Sequence, residues 1–515
     1  MMKRLKVAIS SIFLSFLFVT LAYARPVEVR ILYINDFQGF AEPYQPLGSK
    51  ERLGGIPYLA AKADSLRKEK PSLLLSAGDM IQGNSWANLV RGESVIEWMN
   101  EMGFDAMVLG NHEFDFGQEV LRKRILESRF PVLGANVVGL NHLIQPFVIK
   151  DLEGVKIAII GVLTEETPSS THPRNVTGLK FISPVETARK YVGELKGKVD
   201  LIVVLSHIGF PADRDLAERV KGIDVIVGGH SHTKIDKPVR LGNTLIVQAW
   251  EHGKALGLLD LIVEDGNVIG YEGHLEEIKP QKGKEDQATL AIVKKYQERV
   301  DSVLDESIGI AEVDLDGENV RRKETNLGDF VADIMRRVTG ADVTLINGGG
   351  IRTSIRKGEV RVKDVYAALP FDSYIVSIRL TGRQVREALE HGVSAVENKE
   401  GRFPQVSGMT FEYSPSEKQG SRIKEIDVAG APIHLDQEYL VATNDFLAAG
   451  GDGYRAFGEA IRSSKDFSTL GGVMKGEKIV YSDPGRWLRD VVVESIKEAK
   501  RIAPKTEGRI IEVRQ

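Results

Sequence analysis

The chain has 515 residues, of which 42% are hydrophobic and 27% charged; its formal net charge is −4 and it contains no cysteine. That length predicts two or three domains, and the balance excludes a disordered chain, a membrane-embedded one and a coat for nucleic acid polymers. Without cysteine there is no disulfide and no thiolate ligand, so any metal must sit on His, Asp, Asn, Gln or Glu.

Residues 1–24 read as a secretory signal. Lys3, Arg4 and Lys6 form a basic start, Val7 to Leu21 an apolar stretch, and Ala22 and Ala24 the small residues of a cleavage site. The apolar stretch is shorter than the roughly 20 residues that span a bilayer. Cleavage near Ala24-Arg25 would leave a periplasmic or secreted protein with no stable membrane anchor. Loss of those three positive charges takes the net charge from −4 to −7.

Apolar runs that end in polar residues then recur. Val27 to Ile34 reads as a strand ending in Asn35-Asp36-Phe37-Gln38-Gly39, followed by a helix from Ile56 to Lys68. Ser72 to Ser76 is a second buried strand ending in Gly78-Asp79. Ala106 to Leu109 is a third, ending in Gly110-Asn111-His112-Glu113-Phe114-Asp115, with helices near Ser94–Glu101 and Gln118–Glu127 on either side. Val155 to Val162 and Val199 to Leu205 follow, the latter ending in Ser206-His207. Asp224 to Val227 ends in Gly228-Gly229-His230-Ser231-His232. Strand and helix alternate over some 200 residues, the pattern of a layered α/β domain, and such sheets bind ligands at their strand ends.

Asp36, Asp79, Asn111, His112, His207, His230 and His232 therefore gather at strand ends as oxygen and imidazole donors suited to Zn, Mn, Fe or Co. Asp79 is the natural bridge of a two-ion site, where the cations can activate water and hold a phosphoryl group. His112 can exchange a proton near neutral pH and Asp115 can orient its ring. His142, His172, His252, His274, His391 and His434 stand singly and are expected to be structural or solvated.

Asp265-Gly266-Asn267 is a hairpin signal in a β-rich tail, and Leu290, Val293, Tyr296, Val300 and Leu304 have helical spacing. The expected domains are residues 25–285 and 307–515, joined by a linker helix at 286–306. In the second half, helical spacing covers Asn326 to Val338, and Asp342 to Ile346 and Tyr374 to Leu380 read as strands. Thr381 and Gln384 form a capping box. Asn347-Gly348-Gly349-Gly350-Ile351-Arg352 exposes backbone N–H groups beside Arg352 and Arg356, a combination suited to anions. Phe403 and Phe446 lie in glycine-rich loops, the second running to Asp452; they suggest a base stacked between two rings, with a carboxylate for ribose.

Gly78-Asp79, Gly110-Asn111-His112-Glu113 and Gly229-His230-Ser231-His232 resemble the signature of the calcineurin-like metallophosphoesterases, and Asn111 to Asp115 is similar to the variant of their 5′-nucleotidase branch. Asn347 to Arg352, the Phe403 loop and Phe446 to Asp452 resemble the C-terminal domain of that branch. The resemblance implies a four-layer α/β/β/α metallophosphoesterase domain, a linker helix and a smaller α/β nucleotide-binding domain. It implies two divalent ions (Zn, Mn or Co), one on Asp36, Asp79 and His232, the other on Asp79, Asn111, His207 and His230. His112 would donate to the substrate, with Asp115 fixing its ring; Phe403 and Phe446 would sandwich the base, Asp452 would bind ribose, and Arg352, Arg356 and Arg379 would face phosphate or base. The family's first motif is usually Asp-x-His, whereas this chain has Asp36-Phe37-Gln38, whose amide oxygen is a weaker ligand.

The expected activity is removal of the 5′-phosphate from nucleoside monophosphates, with the domains rotating about the linker to bring nucleotide to metal. Hydrolysis of 2′,3′-cyclic nucleotides or nucleotide-sugar diphosphates, and thiosulfohydrolase chemistry, are alternatives on the same architecture. A nucleotide-binding protein disabled by Gln38 is another.

Overall fold

The structure, a computed structural model, describes residues 26–45, 50–140, 142–464, 468–470 and 473–513. The segment expected to be a secretory signal, residues 1–24, lies outside them.

Val27–Ile34 runs through the middle of the first domain. Successive side chains point to opposite faces. Val29, Ile31 and Tyr33 enter one core, Leu32 and Ile34 another, and all five are buried. A strand covered on both sides needs apolar residues at nearly every position, so these strands read as unbroken hydrophobic runs. Of the two charged residues of Val27–Ile34, Glu28 lies at the exposed start and Arg30 is held by paired bonds of 2.7 and 2.9 Å to Asp260.

Its sheet has the order Asn267–Glu277, Ala255–Glu264, Val27–Ile34, Ser72–Ser76, Ala106–Val108, Val132–Leu133, with the last four strands parallel. The first two form the hairpin expected at Asp265-Gly266. A second sheet has the order Val239–Leu241, Thr244–Val247, Val225–Gly228, Leu201–His207, Val155–Leu163, Phe147–Leu152, with its four middle strands parallel. The sheets meet through residues such as Ile31, Leu75, Ile159, Val203 and Val227. Helices Ile56–Glu69 and Glu93–Met102 cover one outer face, and Pro184–Leu195 and Phe210–Arg219 the other. The result is the four-layer α/β/β/α arrangement.

Helix Gln287–Leu304 joins the domains. Ile292, Val293 and Tyr296 sit in a core of the first, and Val300 and Leu304 in a core of the second. The second domain is built on a mixed sheet ordered Pro404–Ser407, Val343–Asn347, Glu438–Asn444, Tyr374–Thr381, Ile479–Trp487. The capping box at Thr381 and Gln384 is formed and opens helix Gly382–Gly392. Among the described residues, no helix is long and apolar enough to cross a membrane.

Candidate active site

Parallel strands deliver their C-terminal ends to one edge, and the polar residues beyond them converge there. A ligand oxygen of Asp79 and ring nitrogens of His207 and His230 all lie within 4.8 Å of one another. His207 Nε2 is 3.1 Å from Asp79 Oδ2, and His232 Nε2 is 3.4 Å from Asp36 Oδ1. Asp36, Gln38, Asp79, His230 and His232 adopt φ of 48°, 50°, 55°, 74° and 52°. A left-handed backbone costs a residue with a Cβ roughly 1–2 kcal/mol. Such strain, gathered on five residues of one nest, marks a functional site.

The loops are held from behind. The buried Glu113 carboxylate accepts the N–H groups of Asp79 (2.9 Å), Met80 (2.7 Å), Ile81 (3.3 Å) and Gly110 (2.6 Å). A Cβ on Gly110 would lie 2.2 Å from Asp79 Oδ1 and 2.8 Å from His207 Nε2, so only glycine fits there. His207 Nδ1 donates to Ala77 O (2.6 Å), which turns the Nε2 lone pair into the nest. His232 Nδ1 meets Glu251 Oε2 at 2.5 Å, and Lys254 Nζ, 2.7 Å from Glu251 Oε1, balances that carboxylate.

The nest fits divalent cations. His207 Nε2 and Asn111 Oδ1 are buried with no hydrogen-bond partner, although Asn111 Nδ2 reaches Ser170 O at 3.4 Å. Burial alone would raise the Asp79 pKa, but the charges of His207 and His112 outweigh it and hold the carboxyl well below its usual range. Burial lowers His207, and the Asp79 carboxylate raises it more, to about 10; the nest draws positive charge to Nε2. Burial and His207 bring His230 down to about 4, leaving a neutral imidazole with a lone pair to give.

His112 stands at the mouth of the nest. Its Nδ1 is 2.6 Å from Asp115 Oδ2, and Asp115 accepts from Thr171 Oγ1 (2.5 Å). Its Nε2 is 3.9 Å from Asp79 Oδ2 and 3.4 Å from an Arg352 nitrogen of the other domain. Burial and neighbouring Arg321 lower Arg352 to about 10, so it stays cationic at neutral pH.

A cavity of about 1010 Å³ lies between the domains, lined on one side by Asp79, Asn111, His112, Asp115, His230 and His232. Asn347, Arg352, Phe446 and Asp452 line the other. Asn347 Nδ2 donates to Asp452 Oδ2 at 2.6 Å, and His391 Nε2 meets Asp452 O at 2.7 Å. Gly451 lies under the Phe446 ring, where a Cβ would come within 2.3 Å of ring carbons.

Three expected residues stand elsewhere. Phe403 is fully buried, packed edge-on to Tyr413, and absent from the cavity wall; its backbone, not its ring, serves the loop by accepting from Gly348 N (2.6 Å). Arg379 is exposed on its strand near Lys478, away from the cavity. Arg356 reaches across to Gln45 O (2.6 Å) and does not line the cavity. The sequence reading missed Glu251, Arg321 and Arg402. Arg321 and Arg402 line the cavity, and only the basic run Arg321-Arg322-Lys323 hinted at the former. His172, His252 and His391, read as structural, all lie at or beside the site.

Fold and nest define a metallophosphoesterase: residues 29–234 match the calcineurin-like phosphoesterase family, whose members are metal-dependent hydrolases. Residues 307–459 match the 5′-nucleotidase C-terminal domain. The 5′-nucleotidase of Diplobatis ommata is 32% identical over 96% of this chain and 91% of its own length. The trifunctional nucleotide phosphoesterase protein YfkN of Bacillus subtilis is 34% identical over 88% of this chain, which spans 33% of that longer protein. The crystal structure of a 5′-nucleotidase precursor from Thermus thermophilus matches with a TM-score of 0.86 and 34% identity, covering 95% of this chain and all of that one. The chain belongs to the 5′-nucleotidase family.

Proposed function

We propose that this chain is an exported hydrolase that removes the 5′-phosphate of nucleoside monophosphates with two divalent ions, Zn, Mn or Co. One observation carries the reading: a nest of unsatisfied lone-pair donors and a cationic, glycine-rich nucleotide loop face each other across one cavity, 3.4 Å apart at His112 and Arg352. Asp36, Asp79 and His232 would hold one ion, and Asp79, Asn111, His207 and His230 the other; bound there, the pair supplies Lewis acidity and a nucleophile at neutral pH.

In the reaction a water oxygen bonds to phosphorus and gives up a proton to solvent, from which His112 is later reprotonated, while the bond to the nucleoside 5′-oxygen breaks. His112 Nε2 gives its proton to that leaving oxygen, while Asp115 at Nδ1 stabilises the imidazolium and fixes the ring. Arg352 meets the charge on the phosphoryl oxygens, a contact made before the transition state and strengthened in it. Phe446 offers one ring face to the base, the other being covered by Gly451, and Asp452 offers a carboxylate held by Asn347 to ribose hydroxyls.

Chromatography of the products from AMP (adenosine and phosphate), UDP-glucose (UMP and glucose 1-phosphate) and 2′,3′-cyclic AMP (an adenosine monophosphate), each with added Mn, Co or Zn, tests the reading. AMP is expected to be the preferred substrate; inert AMP with any of these ions overturns it. The cavity is at the upper end of the roughly 300–1,000 Å³ usual for small-molecule sites. That room favours nucleotide-sugar diphosphates as the second reading, scored by the same panel. His112→Ala is expected to lower kcat by about 10²-fold with KM little changed.

A further inference from the structure

Gln38 occupies the position where an imidazole would be the stronger ligand, and its surroundings explain how an amide serves. The residue is buried and its backbone N–H donates to the backbone carbonyl of Asp79 (3.1 Å), which ties the two ligand loops together. The loop Trp250–Gly253 closes over it, and His252 N donates to Asp36 O (2.8 Å). The amide end of Gln38 is 3.2 Å from His252 Nε2. The His252 ring is itself immobilised: it stacks on Phe40 at 3.8 Å between centroids and meets Tyr44 and His232 edge-on at 5.9 and 6.0 Å. Residues 38 and 252 both hold left-handed φ, 50° and 55°.

An amide end has two orientations related by a half-turn, and they differ here in chemistry. With the oxygen toward His252, Gln38 Nε2 is a buried donor with no acceptor. An unpaired buried donor costs about 1–3 kcal/mol. With the NH₂ toward His252, one N–H donates to the Nε2 lone pair and the ring proton sits on Nδ1, which is also buried without a partner; each orientation leaves one buried donor unpaired, and only this one gives the unpartnered place to a carbonyl oxygen that a cation can use.

We propose that His252 is the positioning residue of the first metal site: it holds the Gln38 amide with its oxygen toward the ion shared by Asp36, Asp79 and His232. The pair Gln38–His252 does jointly what one imidazole at position 38 would do alone. The inference rests on the two-ion reading above.

Titration of the EDTA-stripped full chain with Mn²⁺, followed by calorimetry and by EPR of the free ion, tests it. Wild type is expected to bind two ions. His252→Phe, which keeps a ring on Phe40 but removes the acceptor, is expected to weaken one of the two sites by 10- to 100-fold, the usual effect of removing a partner that orients a ligand. Gln38→His combined with His252→Phe is expected to regain that affinity, because an imidazole at 38 needs no amide partner. Two unweakened sites in His252→Phe, or a double variant that stays weak, overturns the inference and leaves the two-ion reading standing. Fewer than two ions on wild type overturns both. A measurement on the unsubstituted chain guards against misfolding: with ¹⁵N-glutamine labelling, the side-chain N–H signal lost in Gln38→His is expected to exchange slowly with solvent. Fast exchange of that signal also overturns the assignment.

Discussion

A single carboxylate, Glu113, shows how one residue supports the whole nest. It takes hydrogen bonds from four backbone N–H groups on two different loops, those carrying Asp79 and Asn111. Burial and the nearby charge of Asp79 both raise its pKa, so the four donors are what make a buried carboxylate tolerable. Glu113→Gln keeps the shape but replaces one accepting oxygen by a donor that faces other donors. Each buried N–H left unpaired costs about 1–3 kcal/mol. The variant is therefore expected to lose about 2 kcal/mol or more of stability in urea denaturation, with weaker Mn²⁺ binding, because the loops that carry two ligands are no longer fixed. Unchanged stability and affinity would remove Glu113 from this role. The motif around it was visible in the sequence as five adjacent residues, Asn111 to Asp115. Glu251 was not, since it acts on His232 from another loop 19 residues away.

Elements were legible where burial dictates composition. Val27–Ile34 and Ser72–Ser76 match their apolar runs end to end, because strands covered on both faces cannot hide a polar residue cheaply. Phe147–Leu152 went unread: it is an edge strand with no buried position, and its short apolar run Phe147-Val148-Ile149 is cut off by Lys150 and Asp151. Phe403 and Arg379 were misplaced for a related reason, since spacing places a residue on an element without saying which way its side chain faces. Gln38 and His252 meet across 214 residues, a contact that no local pattern announces. One element carries a pH dependence. In helix Asn326–Thr339, Asp329 is 1% exposed, and burial together with a hydrogen bond to Glu324 raises it to about 8. Glu324 in turn accepts N–H groups of Glu507, Gly508 and Ile510 and so ties the helix to the C-terminal segment. Unfolded, Asp329 titrates near about 3.9. Between that value and about 8 the folded chain holds a proton that the unfolded chain has lost, so this group makes stability fall as pH rises through the interval. Asp329→Asn carries a permanent donor toward Glu324 and is expected to flatten that part of the slope. Urea midpoints at pH 5, 6.5 and 8 for both proteins decide it; parallel slopes would refute the assignment.

At the scale of the whole molecule, the two domains share apolar contacts through the linker helix, while the ties across the cavity are polar. They include Arg352 to His112, Asn88 to Pro370 O (3.1 Å), Thr353 to Tyr44 (3.3 Å), Arg356 to Gln45 O, and His172 Nε2 to Asp445 Oδ2 (3.3 Å). Net contributions of about 0.5–1.5 kcal/mol per hydrogen bond make such a seam easy to open, since water replaces each partner. The helix is anchored more firmly to the first domain, where Trp86 Nε1 donates to Val293 O (3.2 Å) and Tyr296 Oη bonds Glu93 and Glu97. Its far end puts only Val300 and Leu304 into the core of the second domain, and adds part-exposed pairs of Asp301 and Asp305 with Arg361 and Lys363, contacts worth little individually. Rotation is therefore expected about the C-terminal end of the helix. In the described arrangement the glycine-rich loop lies against the Asp and His cluster, with Arg352 3.4 Å from His112. The absence of cysteine makes the test clean: dyes on cysteines introduced at exposed Leu126 and Lys418, one in each domain, report the separation. Addition of metal and a non-hydrolysable AMP analogue is expected to shift the transfer efficiency toward the closed state. His172→Ala, which removes one tie and touches none of the proposed metal ligands, is expected to favour the open state and raise KM by up to about tenfold, the equivalent of 1.4 kcal/mol. A transfer efficiency that stays the same with and without ligand would mean that the two domains move as one body and that nucleotide enters a preformed cleft.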